Sequence, residues 1–445
     1  MIRRTLLVAS VLLLAGCPWF GGPAPKPSPS IAPTATPTAT PAPGVNPATN
    51  VFVSGPSIVG GVINVQILDS AKARVSGATV TISGPTCGWG TSDSTDDLQF
   101  TPLEGGTYSI RVSAPGYATQ ELDGLVLNPQ TPLGETVTLP PQGGVVTGRV
   151  LQGGNPLVGV RVTSGPEGTL TAADGTFSLS GLPSGANTLT LAKTGFVTTS
   201  QTVSLSGQNV AVGDLSMTAA SAPVVSFENA SQPFAGSTVG QALLPLENAL
   251  ASEGCTISNG AANASVRVVA SPDQGSVSDA TVDQLRSFVS AGGKLILLGD
   301  WGGTFNYAPE ALNQLAQPYG FAFNSDLVRS SVNAGQPEWI KIAGLSDVLP
   351  APNPMPSGIT LFDTCSLFAP PPCIPIAEAD SGAYRVASLG GGPMVAIARI
   401  YGAGLVIAVG DTVAWASGSI TGNGSPDGNL AETNNREFML NLFSW

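Results

Sequence analysis

The chain has 445 residues, of which 42% are hydrophobic and only 10% charged, with 55 Gly, 38 Pro and a formal net charge of −12. With 17 basic against 29 acidic residues it offers no basic patch to nucleic acid. Histidine is absent, which excludes Ser-His-Asp and Cys-His relays and His-ligated zinc, haem or non-haem iron.

The N-terminus, MIRRTLLVASVLLLAGC, sets Arg3 and Arg4 before an apolar run from Leu6 to Ala15. That run is too short for an ordinary transmembrane helix and has the form of an export signal. Leu14-Ala15-Gly16-Cys17 resembles a bacterial lipobox, in which small residues fit a peptidase cleft and the Cys17 thiol takes diacylglycerol. The alternative is a secretory signal with a coincidental cysteine. The resemblance implies an extracytoplasmic lipoprotein of the bacterial cell envelope, periplasmic or at the cell surface. Its partner would be the membrane, each buried acyl methylene contributing about 0.8 kcal/mol. Residues 18–50, including PTATPTATPAP, have little apolar surface to bury and read as a disordered, extended spacer.

Residues 51–140 and 141–219 repeat one another. VINVQILDSAKARVSGATVTISGP is matched by VVTGRVLQGGNPLVGVRVTSGP, and GTYSIRVSAPGYATQ by GANTLTLAKTGFVTTSQ. Alternation in Thr107–Val112 and Gly159–Val162 and the turn signal Ala173-Asp174-Gly175-Thr176 predict two small antiparallel sandwiches. The second copy resembles the carboxypeptidase regulatory-like domain family through Gly148-Arg149-Val150, PLVGVRV, TAADGTFSL and GLPSG. The first copy departs more, replacing the tidy hairpin with CGWGTSDSTDDLQF. The resemblance implies Ig-like or transthyretin-like sandwiches without chemistry of their own, serving as spacers or adhesion surfaces. Two functional readings compete with bland ones. Asp93, Asp96 and Asp97 are either a Ca²⁺ site or a solvated acidic loop. Trp89, Tyr108 and Tyr117 are either a sugar-stacking platform or core.

Beyond Ala222 strands and helices alternate, predicting an α/β domain over 222–445 with a mostly parallel sheet. The expected strands are Val224–Phe227, Val266–Ala270, Lys294–Leu298 and Leu405–Val409. The expected helices are Ser237–Glu253, kinked or interrupted at Pro245, a helix capped by Ser278 and running to Val289, Ala308–Gln317 and Asn434–Phe443. A long irregular insertion is expected from about Gln336 to Arg385. The order of elements, GGKLILLGDWGG and the late GAGLVIAVGDT run resemble the class I glutamine amidotransferase-like fold, a flavodoxin-like architecture, and most of all its non-catalytic bacterial relatives. In active members of that fold a Cys stands at the centre of the G-x-x-x-G turn. Here Trp301 takes that place, and the resemblance implies an elbow without its nucleophile.

Acids follow three strand ends: Asp273, Asp300 and Asp411. With Trp301 and Trp415 they form a candidate ligand crevice, binding sugar hydroxyls or a divalent cation, because ligands of parallel sheets sit beyond the carboxyl ends of strands. The competing reading has each Asp capping its own turn and the Trp rings plugging the mouth. No cofactor is expected apart from that cation alternative. In an oxidising compartment Cys365 and Cys373, in DTCSLFAPPPCIP, form a candidate disulfide. The expected function is non-enzymatic binding or scaffolding toward glycan or another envelope protein. An Asp-dependent hydrolase and a plain structural spacer are the alternatives.

Overall fold

The computed structural model describes residues 51–54, 60–95, 97–228, 243–270, 277–300, 309–330, 339–341, 359–362, 364–379, 383–385, 394–416, 430 and 434–444. Cys17, the proline-rich spacer, Asp96, Asp273 and Trp301 lie outside them. The chain divides into residues 1–45 and Asn46–Trp445, and everything described belongs to the second unit. Among the described residues no helix is long and apolar enough to cross a membrane.

The first module consists of β1 (Val51–Ser54), β2 (Gly61–Asp69), β3 (Thr79–Ser83), β4 (Cys87–Thr91), β5 (Leu98–Leu103), β6 (Gly106–Ser113), β7 (Gln120–Leu127) and β8 (Leu133–Leu139). They form two sheets, β1-β4-β3-β6-β7 and β5-β2-β8. Every second residue of β2, Ile63, Val65 and Ile67, is buried between them, as the two-residue period of a strand requires.

The second module repeats the wiring with β9 (Val146–Gln152), β10 (Asn155–Pro156), β11 (Arg161–Ser164), β12 (Glu167–Leu170), β13 (Thr176–Leu179), β14 (Gly185–Ala192), β15 (Thr199–Leu205) and β16 (Val210–Ser216). β9 lies between β13 and β16 as β2 lies between β5 and β8, and β11 lies between β12 and β14 as β3 lies between β4 and β6. The sandwiches are not purely antiparallel. In each, the last strand returns to run parallel to the first long one. The predicted turn at Asp174-Gly175 is present: Asp174 Oδ1 accepts from the Thr176 amide at 3.0 Å, and Gly175 has φ +79°.

The last module has one seven-stranded mixed sheet. Its strands are β17 (Val224–Phe227), β18 (Thr256–Asn259), β19 (Val266–Ala270), β20 (Lys294–Leu298), β21 (Ile374–Glu378), β22 (Met394–Tyr401) and β23 (Gly404–Val409), in the order β18-β17-β19-β20-β23-β22-β21. The first five run parallel, while β22 and β21 are antiparallel additions. Helices α1 (Leu244–Ser252) and α4 (Asn435–Ser444) pack on one face, α2 (Asp279–Ser290) and α3 (Pro309–Ala316) on the other. All five residues of β19 and of β20 are buried, because both faces are covered. Pro245 does not kink a helix. It stands in the first turn of α1, where its missing N–H costs nothing. The part of the expected helix before Leu243 lies outside the described residues. Ser278 caps α2 through the Thr281 amide, as its sequence position predicts.

The three modules pack together. β11 is buried at all four positions, because its outer face lies against the last module. Arg161 donates from Nε to the Ala403 carbonyl at 3.2 Å and from Nη2 to that of Gly292 at 3.0 Å. β12 passes so near β22 that a Cβ on Gly168 would meet the Ile400 side chain at 2.7 Å. From the first module Thr81 Oγ1 donates to the Pro371 carbonyl at 2.7 Å, and Cys87 and Trp89 pack on Ala322 and Phe368.

Candidate functional site

The expected crevice lies beyond the carboxyl ends of β20 and β23. Asp300 follows β20 by two residues and Asp411 follows β23 by two, so the parallel pairing of these strands brings the two acids side by side. Both are buried, and both face the Cys365 thiol together with a third acid, Asp326. Burial, followed by Asp326, Asp300 and Asp411 in that order, pushes this thiol well above its ordinary range. A thiol held protonated among carboxylates is a poor nucleophile.

The hydrogen bonds show what two of the acids do. Asp411 Oδ2 accepts from the Phe362 amide at 2.6 Å and from Thr364 Oγ1 at 3.4 Å, and Oδ1 accepts from the Ala414 amide at 3.1 Å. It therefore caps the Val413–Trp415 turn and ties it to the insertion. Asp326 accepts from the Ser366 amide at 2.8 Å and from its hydroxyl at 2.7 Å. Thr412 Oγ1 donates to the Gly299 carbonyl at 2.8 Å, which joins the ends of the two strands. In sequence Asp326 closes the polar run Asn324-Ser325-Asp326, which reads as a solvated turn and gives no cue to a buried acid.

Trp415 does not line a mouth. It is fully buried, with its ring centroid 6.2 Å from that of Phe438 on α4. Asp273 and Trp301 lie outside the described residues, so the structure brings together only Asp300 and Asp411 of the five expected ligands. Among the described residues no group of three or more Cys, Asp or Glu is arranged to hold a metal ion.

The other expectations fare unevenly. Asp93 Oδ1 accepts from the Thr95 amide and hydroxyl within its own loop, and Asp97 instead pairs with Arg74 of the β2–β3 connection at 2.8 Å. Tyr108 is a core residue whose hydroxyl donates to the Glu104 carbonyl, and Trp89 packs at the module junction, so the three aromatics form no exposed platform. The expected Cys365–Cys373 bridge is not formed, and both cysteines are free thiols. They stand at the heads of strands with different partners: Leu367–Phe368, which follows Cys365, pairs with Ala322–Phe323, whereas β21, which follows Cys373, pairs with β22. Burial raises the Cys373 thiol to about 11.

At the opposite end of the sheet a polar cleft of about 500 Å³ is lined by Asp283, Arg286, Ser287, Ser290, Ala291 and Tyr401. Arg286 there donates from Nη2 to the Tyr401 hydroxyl at 3.2 Å. This cleft joins no residue of the expected crevice.

Residues 62–140 match the carboxypeptidase regulatory-like domain family. The match falls on the first copy, the one whose hairpin looks less regular. No curated protein matches the chain. Among solved structures the chain is similar to the mmIFT52 N-terminal domain, at 16% identity over 50% of this chain and 96% of that one, TM-score 0.39. It is also similar to the cytoplasmic protein STM1381 from Salmonella typhimurium LT2, at 13% identity over 49% and 98%, TM-score 0.34. A streptococcal ancillary pilin aligns at 16% identity over 37% and 62%, TM-score 0.17.

Proposed function

We propose that this chain is a lipid-anchored protein of the bacterial cell envelope with a binding or scaffolding role rather than a catalytic one, directed at glycan or another envelope protein. Cys17 would carry the lipid, and residues 18–50 would hold the folded part off the membrane. The last module is read as flavodoxin-like and amidotransferase-like. In support, its five parallel strands, numbered along the chain, stand in the order 2-1-3-4-5.

The observation that carries the non-catalytic reading is the state of Asp411. Both carboxylate oxygens accept hydrogen bonds within a buried cap, and the neighbouring Trp415 fills core. A general base or nucleophile needs a carboxylate that reaches substrate. An Asp-dependent hydrolase would therefore rest on Asp300 alone among the described acids at these strand ends.

The test uses the full chain and its Asp300→Asn variant. It measures turnover of glutamine, esters, glycosides and phosphoesters beside binding to an array of envelope glycans. Binding without turnover is expected. Turnover abolished in Asp300→Asn would overturn the proposal. Metabolic labelling with an alkyne fatty acid, lost in Cys17→Ala, tests the anchor separately.

A further inference from the structure

The modules meet at a set of charges that none of their separate cores requires. Each module has its own apolar cluster, around Ile63 and Val80, around Val146 and Val162, and on both faces of the last sheet. Between the two sandwiches, Arg111 Nη2 of β6 meets Glu167 Oε1 of β12 at 2.6 Å, with side chains only 11% and 17% exposed. Glu121 of β7 stands directly across the strand pair from Arg111. Glu121 is exposed, while Arg399 of β22 is buried and donates from Nε to the Tyr319 carbonyl at 3.2 Å.

Around them the junction combines the Thr81, Arg161, Thr119 and Lys193 hydrogen bonds with apolar packing, of Cys87 and Trp89 on Ala322 and Phe368 and of Leu170 on the core of the last module. Interfaces of that composition between modules with independent cores part more readily than the modules unfold. A largely buried ion pair makes such a contact specific, because either partner left alone keeps a desolvated charge.

We infer that Arg111 and Glu167 form a latch that locks the first sandwich onto the second, and through it onto the last module, and that opens without unfolding any module. The latch gives the last module a fixed bearing on the first sandwich. This holds whether that module binds or catalyses.

The Thr119 amide reports the state of the latch, since it donates across the sandwich junction to the Gly181 carbonyl at 2.9 Å. Hydrogen exchange of the full chain should find Thr119 protected. In Arg111→Glu and in Glu167→Arg its exchange should accelerate at least tenfold, while the Val80 and Val162 amides inside the sheets keep wild-type protection. The double variant, with the charges exchanged, should recover most of the Thr119 protection. Unchanged Thr119 exchange in both single variants would overturn the inference. If a reversal disturbs the fold, Glu167→Gln decides. It should accelerate Thr119 alone, and equal loss at Val80 and Val162 would show that junction and modules open together, against the latch.

Discussion

Trp415 offers a sharp test of how the strand ends are built. It is fully buried against Phe438, and its indole N–H has no acceptor among the described residues. Trp415→Phe removes about 40 Å³ of side chain, which at about 24 cal/mol per Å³ of cavity costs roughly 1 kcal/mol. The same change removes a buried unsatisfied donor, whose burial costs about 1–3 kcal/mol. The second effect equals or exceeds the first, so stability should range from unchanged to about 2 kcal/mol higher. Trp415→Ala removes the packing as well and should cost about 3–5 kcal/mol. Urea unfolding followed by far-ultraviolet circular dichroism measures both, with equal m-values confirming that the same surface is exposed. A loss of 3 kcal/mol or more in Trp415→Phe would refute the reasoning, because it would mean that the N–H is paired. Trp415→Ala that keeps its stability but loses glycan binding would restore the stacking role and remove the plug.

Three further outcomes follow from the same contacts. Arg161→Ala leaves the Gly292 and Ala403 carbonyls without their donor across the module boundary and should cost on the order of 3 kcal/mol, whereas Arg161→Met, which keeps the bulk and removes a buried charge, should cost less; equal losses in urea unfolding would argue against it. Burial, aided by Arg161, lowers the half-buried Lys193 to about 8, so between about pH 8 and its unfolded value the unfolded chain binds more protons. Stability from this group is therefore present above the unfolded value and is lost as pH falls through about 8, with a limiting slope of about 1.4 kcal/mol per pH unit. The difference in Tm between wild type and Lys193→Gln should change with pH from 7.5 to 9 in that sense, and a flat difference would count against it. Cys365 and Cys373, both pushed up by burial, should resist iodoacetamide at pH 8.5 in the folded protein and react once it is unfolded without reductant; resistance after unfolding would restore the disulfide.

The sequence shows local structure where one strong signal decides it. Lys294–Leu298 is apolar apart from its first residue and could only be a strand buried on both faces. Ser278 before two turns of periodic residues, and Asp174-Gly175 between two alternating runs, each name their own geometry. Strand β22 was missed although it is the longest in its sheet. MVAIARIY carries no alternation, since layers on both sides of the sheet cover its two faces.

The two readings of the crevice stay open in the sequence for a related reason, and at Asp411 and Trp415 the structure shows the capping and plugging one. Asp, Gly and Trp after a strand have the same form whether the acid faces a ligand or caps a turn. The choice depends on donors far away in sequence, and for Asp411 these are Phe362 and Thr364 in the insertion.

The junction between modules was hidden most deeply. Val160 and Val162 announce their inward face by alternation, but Arg161 between them reads as a solvated outer residue. A guanidinium on a strand's outer face is indistinguishable in sequence from one aimed at carbonyls of another module 131 and 242 residues away. Lys294 carries the same lesson from the other side. It opens a strand with a charge, yet it is buried and donates to the Leu442 and Phe443 carbonyls at the end of α4. There its N–H groups satisfy carbonyls that the last turn of the helix leaves open, while burial, with Arg161 and Lys193 nearby, pushes its pKa well down. Buried basic side chains aimed at backbone carbonyls hold the strand and helix ends of this protein in place, and this use of Lys and Arg leaves almost no trace in a chain read one window at a time.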